Sequence, residues 1–190
     1  LAAITGDIIN TASNAGDLMS FNEIRNTEMF FVPGNHDSTH YYRLSNEFHR
    51  GIIWDVPYCM ARNRTIIIGL PRYPDKPPAC NDNEYSRMHC LAQTGKTPRD
   101  YLAAKMRHLL AKAESEVDLV ILGHDFSHLE SDISKIIELF KQVGVNISAA
   151  LCMYGHDHGN HFLRDISSEK IGEINLWKSR VYSASSQCLG

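Results

Sequence analysis

The sequence is poor in the features that would settle its class by composition. It carries a net charge of only -3 with 22% charged residues, so it offers no extended basic surface to a nucleic-acid backbone. Its five cysteines are odd in number and include no C-x-x-C pair, which argues against a zinc ribbon and a complete disulfide framework. A reduced compartment, the cytoplasm, is the simpler expectation. The triplets Asn63-Arg-Thr65 and Asn146-Ile-Ser148 match a glycosylation acceptor, but such triplets are frequent by chance. No apolar run approaches the roughly 18–20 residues that span a bilayer, and no basic-then-apolar leader opens the chain. There is no internal repeat and no low-complexity tract.

What is present is a chain of 190 residues, 43% of them hydrophobic, enough for one domain over 1–190 with a sizeable core. Leu1-Ala-Ala-Ile-Thr5 reads as a short buried strand that runs straight into Gly6-Asp7, so the natural amino terminus is expected upstream. A helix is expected over 15–26, a strand over 29–32 stopped by Pro33-Gly34, and a helix from Ser38 to Phe48. The runs 52–54 and 65–69 read as strands joined by a turn around Asn63. The proline-rich stretch 71–98 has no sustained period and reads as an insertion or cap loop, whose Arg72, Tyr73, Lys76 and Arg87 are candidates for phosphate or base contacts. Then come a helix over 99–116, a strand over 118–122, a helix over 131–143 stopped by Gly144, and a strand over 147–154. Short strands over 161–166, 171–177 and 180–184 close the chain. Alternating strands and helices imply a mostly parallel α/β sheet, and the terminal strands an antiparallel extension or second sheet.

The chemistry sits in short polar clusters where strands stop: Gly6-Asp7, Gly34-Asn35-His36-Asp37, Gly123-His124 and Gly155-His156-Asp157-His158. Ligands of an open α/β sheet bind beyond the carboxyl ends of its strands, so Asp7, Asn35, His124, His156 and His158 could converge. A carboxylate, an amide oxygen and imidazoles together suit Mn, Fe or Zn better than Ca or Mg. His156 and His158 flank one residue and would face the same way in an extended segment, serving neighbouring ions. Asp7 could bridge two cations about 3.5–4 Å apart, the spacing of two-metal hydrolytic sites. His36 stands beside Asn35 without needing to be a ligand; protonated, it could donate to a leaving alkoxide while Asp37 holds its orientation. Taken singly, a G-D pair is more often a turn and a loop Asn or His more often a backbone hydrogen-bonder; the combination carries the weight. His40, His49, His89, His108, His128 and His161 are read as surface or packing residues.

In this order and with these gaps, the clusters resemble the calcineurin-like metallophosphoesterase family over nearly the whole chain. The resemblance implies a four-layer αββα sandwich with two mixed sheets, its N-terminal strand missing here, and a site for two divalent metal ions. It implies that Asp7 bridges the ions, that Asn35, His124 and His156 complete the shell of the second, and that His158 binds the first. The family's opening D-x-H motif, which adds ligands to the first ion, is absent from this chain. Gly6-Asp-Ile-Ile-Asn10 is not the G-D-x-x-D-R-G of the protein Ser/Thr phosphatases, and Asp37 stands where those have Glu. The expected activity is therefore hydrolysis of a small phosphomonoester or phosphodiester by two-metal-activated water, with His36 as general acid. The alternative is a catalytically impaired binding scaffold on the same fold.

Overall fold

The structure, a computed structural model, describes residues 2–4, 29–32, 58–70, 95–96, 98–155 and 165–180. Two short parallel strands, β1 (Ala2–Ile4) and β2 (Met29–Phe31), pair with each other. The remaining strands form one mixed sheet of six: β3 (Tyr58–Arg62), β4 (Thr65–Leu70), β5 (Glu116–Gly123), β6 (Asn146–Tyr154), β7 (Asp165–Ile171) and β8 (Ile174–Arg180). Their spatial order is β3-β4-β5-β6-β8-β7, with β4, β5, β6 and β8 mutually parallel and an antiparallel strand at each edge. Helix α1 (Pro98–Leu110) and helix α2 (Phe126–Gln142) supply the crossovers before and after β5.

Side-chain alternation sorts the strands between two cores. Ile66, Ile68 and Leu70 of β4, Leu119 and Ile121 of β5 and Cys152 of β6 pack with Leu102 and Met106 of α1 and Ile133, Ile137 and Phe140 of α2. The intervening residues Ile67 and Leu122 pack on the other face with Phe30 and Val32, flanked by Tyr58, Met60, Val120 and Met153. The six-stranded sheet therefore has the helices on one side and the β1–β2 pair on the other. Burial on both faces explains why β4 reads as a continuous Ile-Ile-Ile run instead of alternating. Each fully buried Ile or Leu stabilises the fold by about 1.5–3 kcal/mol.

Local signals fix the helix ends. Pro98 occupies the first position of α1, where its missing N–H costs nothing, and Arg107 and His108 complement the dipole in the last turn. At the end of α2 the Gly144 N–H donates to the Lys141 carbonyl and the Val145 N–H to the Phe140 carbonyl, both at 3.1 Å. Gly144 adopts φ 74, and Val145 and Phe140 are both buried in the helix-side core, so this is a Schellman stop with its apolar contact.

Several expectations shift. The hairpin partner of β4 is 58–62, because Arg62 pairs with Thr65 across a turn of Asn63 and Arg64. That two-residue turn makes 58–62, not 52–54, the segment joined to β4, and Asn63 takes the positive φ of 53 that asparagine tolerates. Helix α1 starts at Pro98, inside the stretch read as a loop, and ends at Leu110; α2 starts at Phe126, five positions before the apolar period becomes evident. Strands expected over 161–166 and 171–177 are one hairpin, 165–171 with 174–180, because Gly172 (φ 62) and Glu173 form its turn. It extends the same sheet through β8 instead of starting another. The helices expected at 15–26 and 38–48, the strand at 52–54, most of the 71–98 loop and the strand at 180–184 lie outside the described residues, Arg180 apart, which ends β8.

Candidate metal centre

β5 and β6 run parallel with Leu122 opposite Met153. Beyond the last paired rung, the Gly155 N–H still donates to the His124 carbonyl at 3.0 Å. The two strand ends therefore stay joined, and His124 and the segment opening with Gly155 leave the same edge of the sheet side by side. His124 is 1% exposed, a buried imidazole at the carboxyl end of a central strand. On the facing pair, β1 stops just short of Gly6-Asp7 and β2 just short of Gly34-Asn35, at one end because the two strands are parallel. Val32, which precedes Pro33-Gly34-Asn35, shares a cluster with Leu122, which precedes Gly123-His124. Two of the motif-bearing segments are thus rooted in one patch of core.

Of the expected site residues, His124 is described; Asp7, Asn35, His36, Asp37, His156 and His158 lie outside the described residues. Among the described residues no group of three or more His, Cys, Asp or Glu is close enough to hold a metal. The donor chemistry fits a divalent ion all the same: imidazole suits Mn, Fe or Zn, and His124 is buried at a strand end. His108, in the last turn of α1, is exposed, in keeping with its expected surface role. Of the glycosylation-type triplets, Asn63 sits in the β3–β4 turn and Asn146 opens β6, both exposed.

Behind the strand ends lies an aromatic and cationic layer. Tyr154, the last residue of β6, stacks on Phe126 at 5.2 Å between centroids, and Arg180, opposite Tyr154 on β8, lies 5.6 Å from its ring. Lys178 Nζ sits 4.5 Å above the Phe126 ring and 2.7 Å from Glu169 Oε2. These contacts tie the first residue of α2 and the last of β6, and so the start of the Gly155 turn, to the sheet. Burial pushes the Cys59 thiol up to about 11 and the Cys152 thiol up to about 12, so neither is a thiolate ligand or nucleophile at neutral pH.

The sequence reading placed the candidate substrate cations in the 71–98 loop and passed over Lys178 and Arg180. Their spacing of two on a strand was the available signal, because it puts both on the face of Leu176. Tyr58 was also passed over. It lies opposite Gly69 with its hydroxyl sealed and without a hydrogen-bond partner among the described residues. No short motif announces such a residue.

The sequence model of the calcineurin-like phosphoesterase family matches residues 1–160. No curated protein sequence matches the chain. Among solved structures, the phosphopantetheinyl hydrolase of Mycobacterium tuberculosis is similar at 13% identity and a TM-score of 0.43, over 96% of this chain and 79% of that one.

Proposed function

The chain belongs to the calcineurin-like phosphoesterase family, and from that premise we propose that it is a metal-dependent hydrolase of a small phosphomonoester or phosphodiester, distinct from the protein Ser/Thr phosphatases. The observation that carries the proposal is the pairing of His124 with Gly155 at the ends of adjacent parallel strands, which supports a site built from the Gly-His motifs. The proposal extends the described layers to a four-layer sandwich with two mixed sheets, in a single domain whose 71–98 segment caps the site.

In this proposal Asp7, Asn35, His124 and His156 would hold one divalent ion, and Asp7 and His158 would contribute to a second. The ions, when bound, supply Lewis acidity that offsets phosphoryl charge and lowers the pKa of water. The chain's own groups do the rest. The Asn35 amide orients a phosphoryl oxygen. Water adds to phosphorus, giving up one proton to solvent, as the bond to the leaving oxygen breaks; the His36 imidazolium would give its proton to that oxygen, and Asp37 would keep the imidazole charged and oriented. Burial of His124 excludes water from its imidazole and fixes its position, so little reorganisation is left for the reaction.

The test is turnover of an aryl phosphomonoester and an aryl phosphodiester with added Mn, abolished by chelator. Activity that persists in chelator defeats the proposal. Absence of turnover with every divalent metal on a broad phosphoester panel favours the non-catalytic binding scaffold. Metal analysis of the chain should find one ion held more tightly than the other, because four of the named residues serve the first-named site.

A further inference from the structure

We propose that the chain pairs with a second copy of itself through β7, continuing the six-stranded sheet across a two-fold axis at Ser168. β7 ends the strand order, so among the described residues nothing pairs with its outer side. Its seven residues run in unbroken register with β8, without proline or bulge, which leaves that edge regular. The free N–H and C=O groups of such an edge are a template for another strand. Apolar surface lies beside them. Ile166 is 59% exposed and Trp177 52%, two of the three large hydrophobic side chains exposed among the described residues. Ile166 lies opposite Ser179 and Trp177 opposite Ser168, so both occupy the face of the hairpin away from Leu176 and the helix-side core.

The sequence of β7 suits its own copy. Residues directly opposite in an antiparallel pair share a face, so a two-fold pairing that keeps the faces continuous is centred on a residue. Centred on Ser168, all seven residues pair: Ser168 meets the partner's Ser168, Ile166 the partner's Lys170, Ser167 the partner's Glu169 and Asp165 the partner's Ile171. No like charges stand opposite. Centring on Glu169 or Lys170 would set each against its own copy, and centring on Ser167 would leave Lys170 and Ile171 unpaired. Glu169 is already neutralised by Lys178, 2.7 Å away on the helix side. The stem of Lys170 can lie along an isoleucine with its ammonium in water. Across the axis the exposed face then reads Trp177, Ser168, the partner's Ser168, the partner's Trp177, joining two apolar patches into one. An isologous contact of this kind closes at the dimer.

The test is sedimentation equilibrium of the 190-residue chain, with cysteine cross-linking to fix the register. A monomer–dimer equilibrium with no larger species is expected. Ile166→Lys, which opposes like charges at both symmetry-related positions, should weaken it about tenfold or more while circular dichroism shows the monomer still folded. Adding Lys170→Glu to Ile166→Lys should restore part of the loss, because the opposed pair is then of opposite sign. Ser168→Cys should form a covalent dimer on mild oxidation, its 168–168 link mapped by mass spectrometry, since opposed strand residues lie about 4.5–5.5 Å apart, within disulfide reach. Ser167→Cys, which does not face its own copy, should form none. A chain monomeric up to about 1 mM, a dimer indifferent to Ile166→Lys, or no 168–168 link overturns the proposal.

Discussion

Replacing Gly69 by alanine separates two physical expectations of opposite sign. Gly69 is buried within β4 and has no left-handed φ, so alanine meets no backbone strain there. On propensity alone the change would stabilise the strand by about 0.5–1 kcal/mol. The structure demands the reverse. The new methyl would overlap Cε1 and Cζ of Tyr58, well inside the ~3.5–4.0 Å at which carbon atoms pack. Tyr58 packs against the cluster of Phe30, Val32, Ile67 and Leu122, so displacing its ring disturbs that packing. Overpacking of this kind costs about 1–3 kcal/mol. Net of propensity, Gly69→Ala should cost about 1–2 kcal/mol. For a chain of this length that is a fall of about 2–8 °C in melting temperature, measurable by calorimetry or circular dichroism. The cause is isolated by a double-mutant cycle with Tyr58→Ala, itself destabilising by about 3 kcal/mol for the lost ring. If the clash is the mechanism, Gly69→Ala no longer costs stability in the Tyr58→Ala background and shows its propensity gain of about 0.5–1 kcal/mol instead, so the coupling is about 1–3 kcal/mol, far above the ~0.5 kcal/mol scatter of independent sites. A Gly69→Ala protein as stable as wild type, or additive effects in the cycle, would refute the placement of the ring.

His124→Asn should lower Mn affinity by at least about tenfold and phosphoester turnover with it, measured by metal titration and initial rates. Ser148→Ala should reduce stability at neutral pH but not in acid: the Ser148 hydroxyl, 2.5 Å from Asp118 Oδ1, is the main cause of a carboxyl pKa held below 3.8, with Arg64 adding to it. A depressed folded pKa contributes stability that is complete above 3.8 and lost as pH falls through the lower folded value, so the melting-temperature gap between variant and wild type should close below that pH. Cys59 and Cys152, with thiols pushed up to about 11 and about 12 by burial, should resist alkylation at pH 8 in the native protein and react on unfolding, a difference read by mass spectrometry.

The parts of the fold legible in sequence are those where one residue has one physical job. Gly144 was readable as a helix stop because a left-handed C-terminal turn favours glycine, and the bonds from Gly144 and Val145 bear this out. Ile133, Ile136, Ile137 and Phe140 marked the buried face of α2 by period alone. The start of that helix was harder, since the first six residues, Phe126 to Ser131, carry only Phe126 and Leu129 as apolar positions, too few to extend the period backward. The β7–β8 hairpin was misplaced because Ile171-Gly-Glu-Ile174 looks like strand interior when the turn residues are flanked so closely by isoleucine. Only the cross-strand register, which couples residues that sequence order does not, assigns Gly172 and Glu173 to the turn.

The site posed the opposite problem, since its residue types were evident while their proximity was not. Gly123-His124 and Gly155-His156 are separated by an entire helix and strand, and nothing local says that their ends meet. What joins them is topology: β5, α2 and β6 make one parallel crossover unit, and such a unit delivers both strand ends to the same edge. The Gly155 N–H to His124 carbonyl bond continues the ladder one step past the strands, at the point where a ligand set must stop behaving as sheet. That bond uses the backbone carbonyl of His124, not its imidazole. A histidine in the middle of β5 would have its side chain committed to one of the two cores, so the step from strand to turn is what converts a motif residue into a candidate ligand.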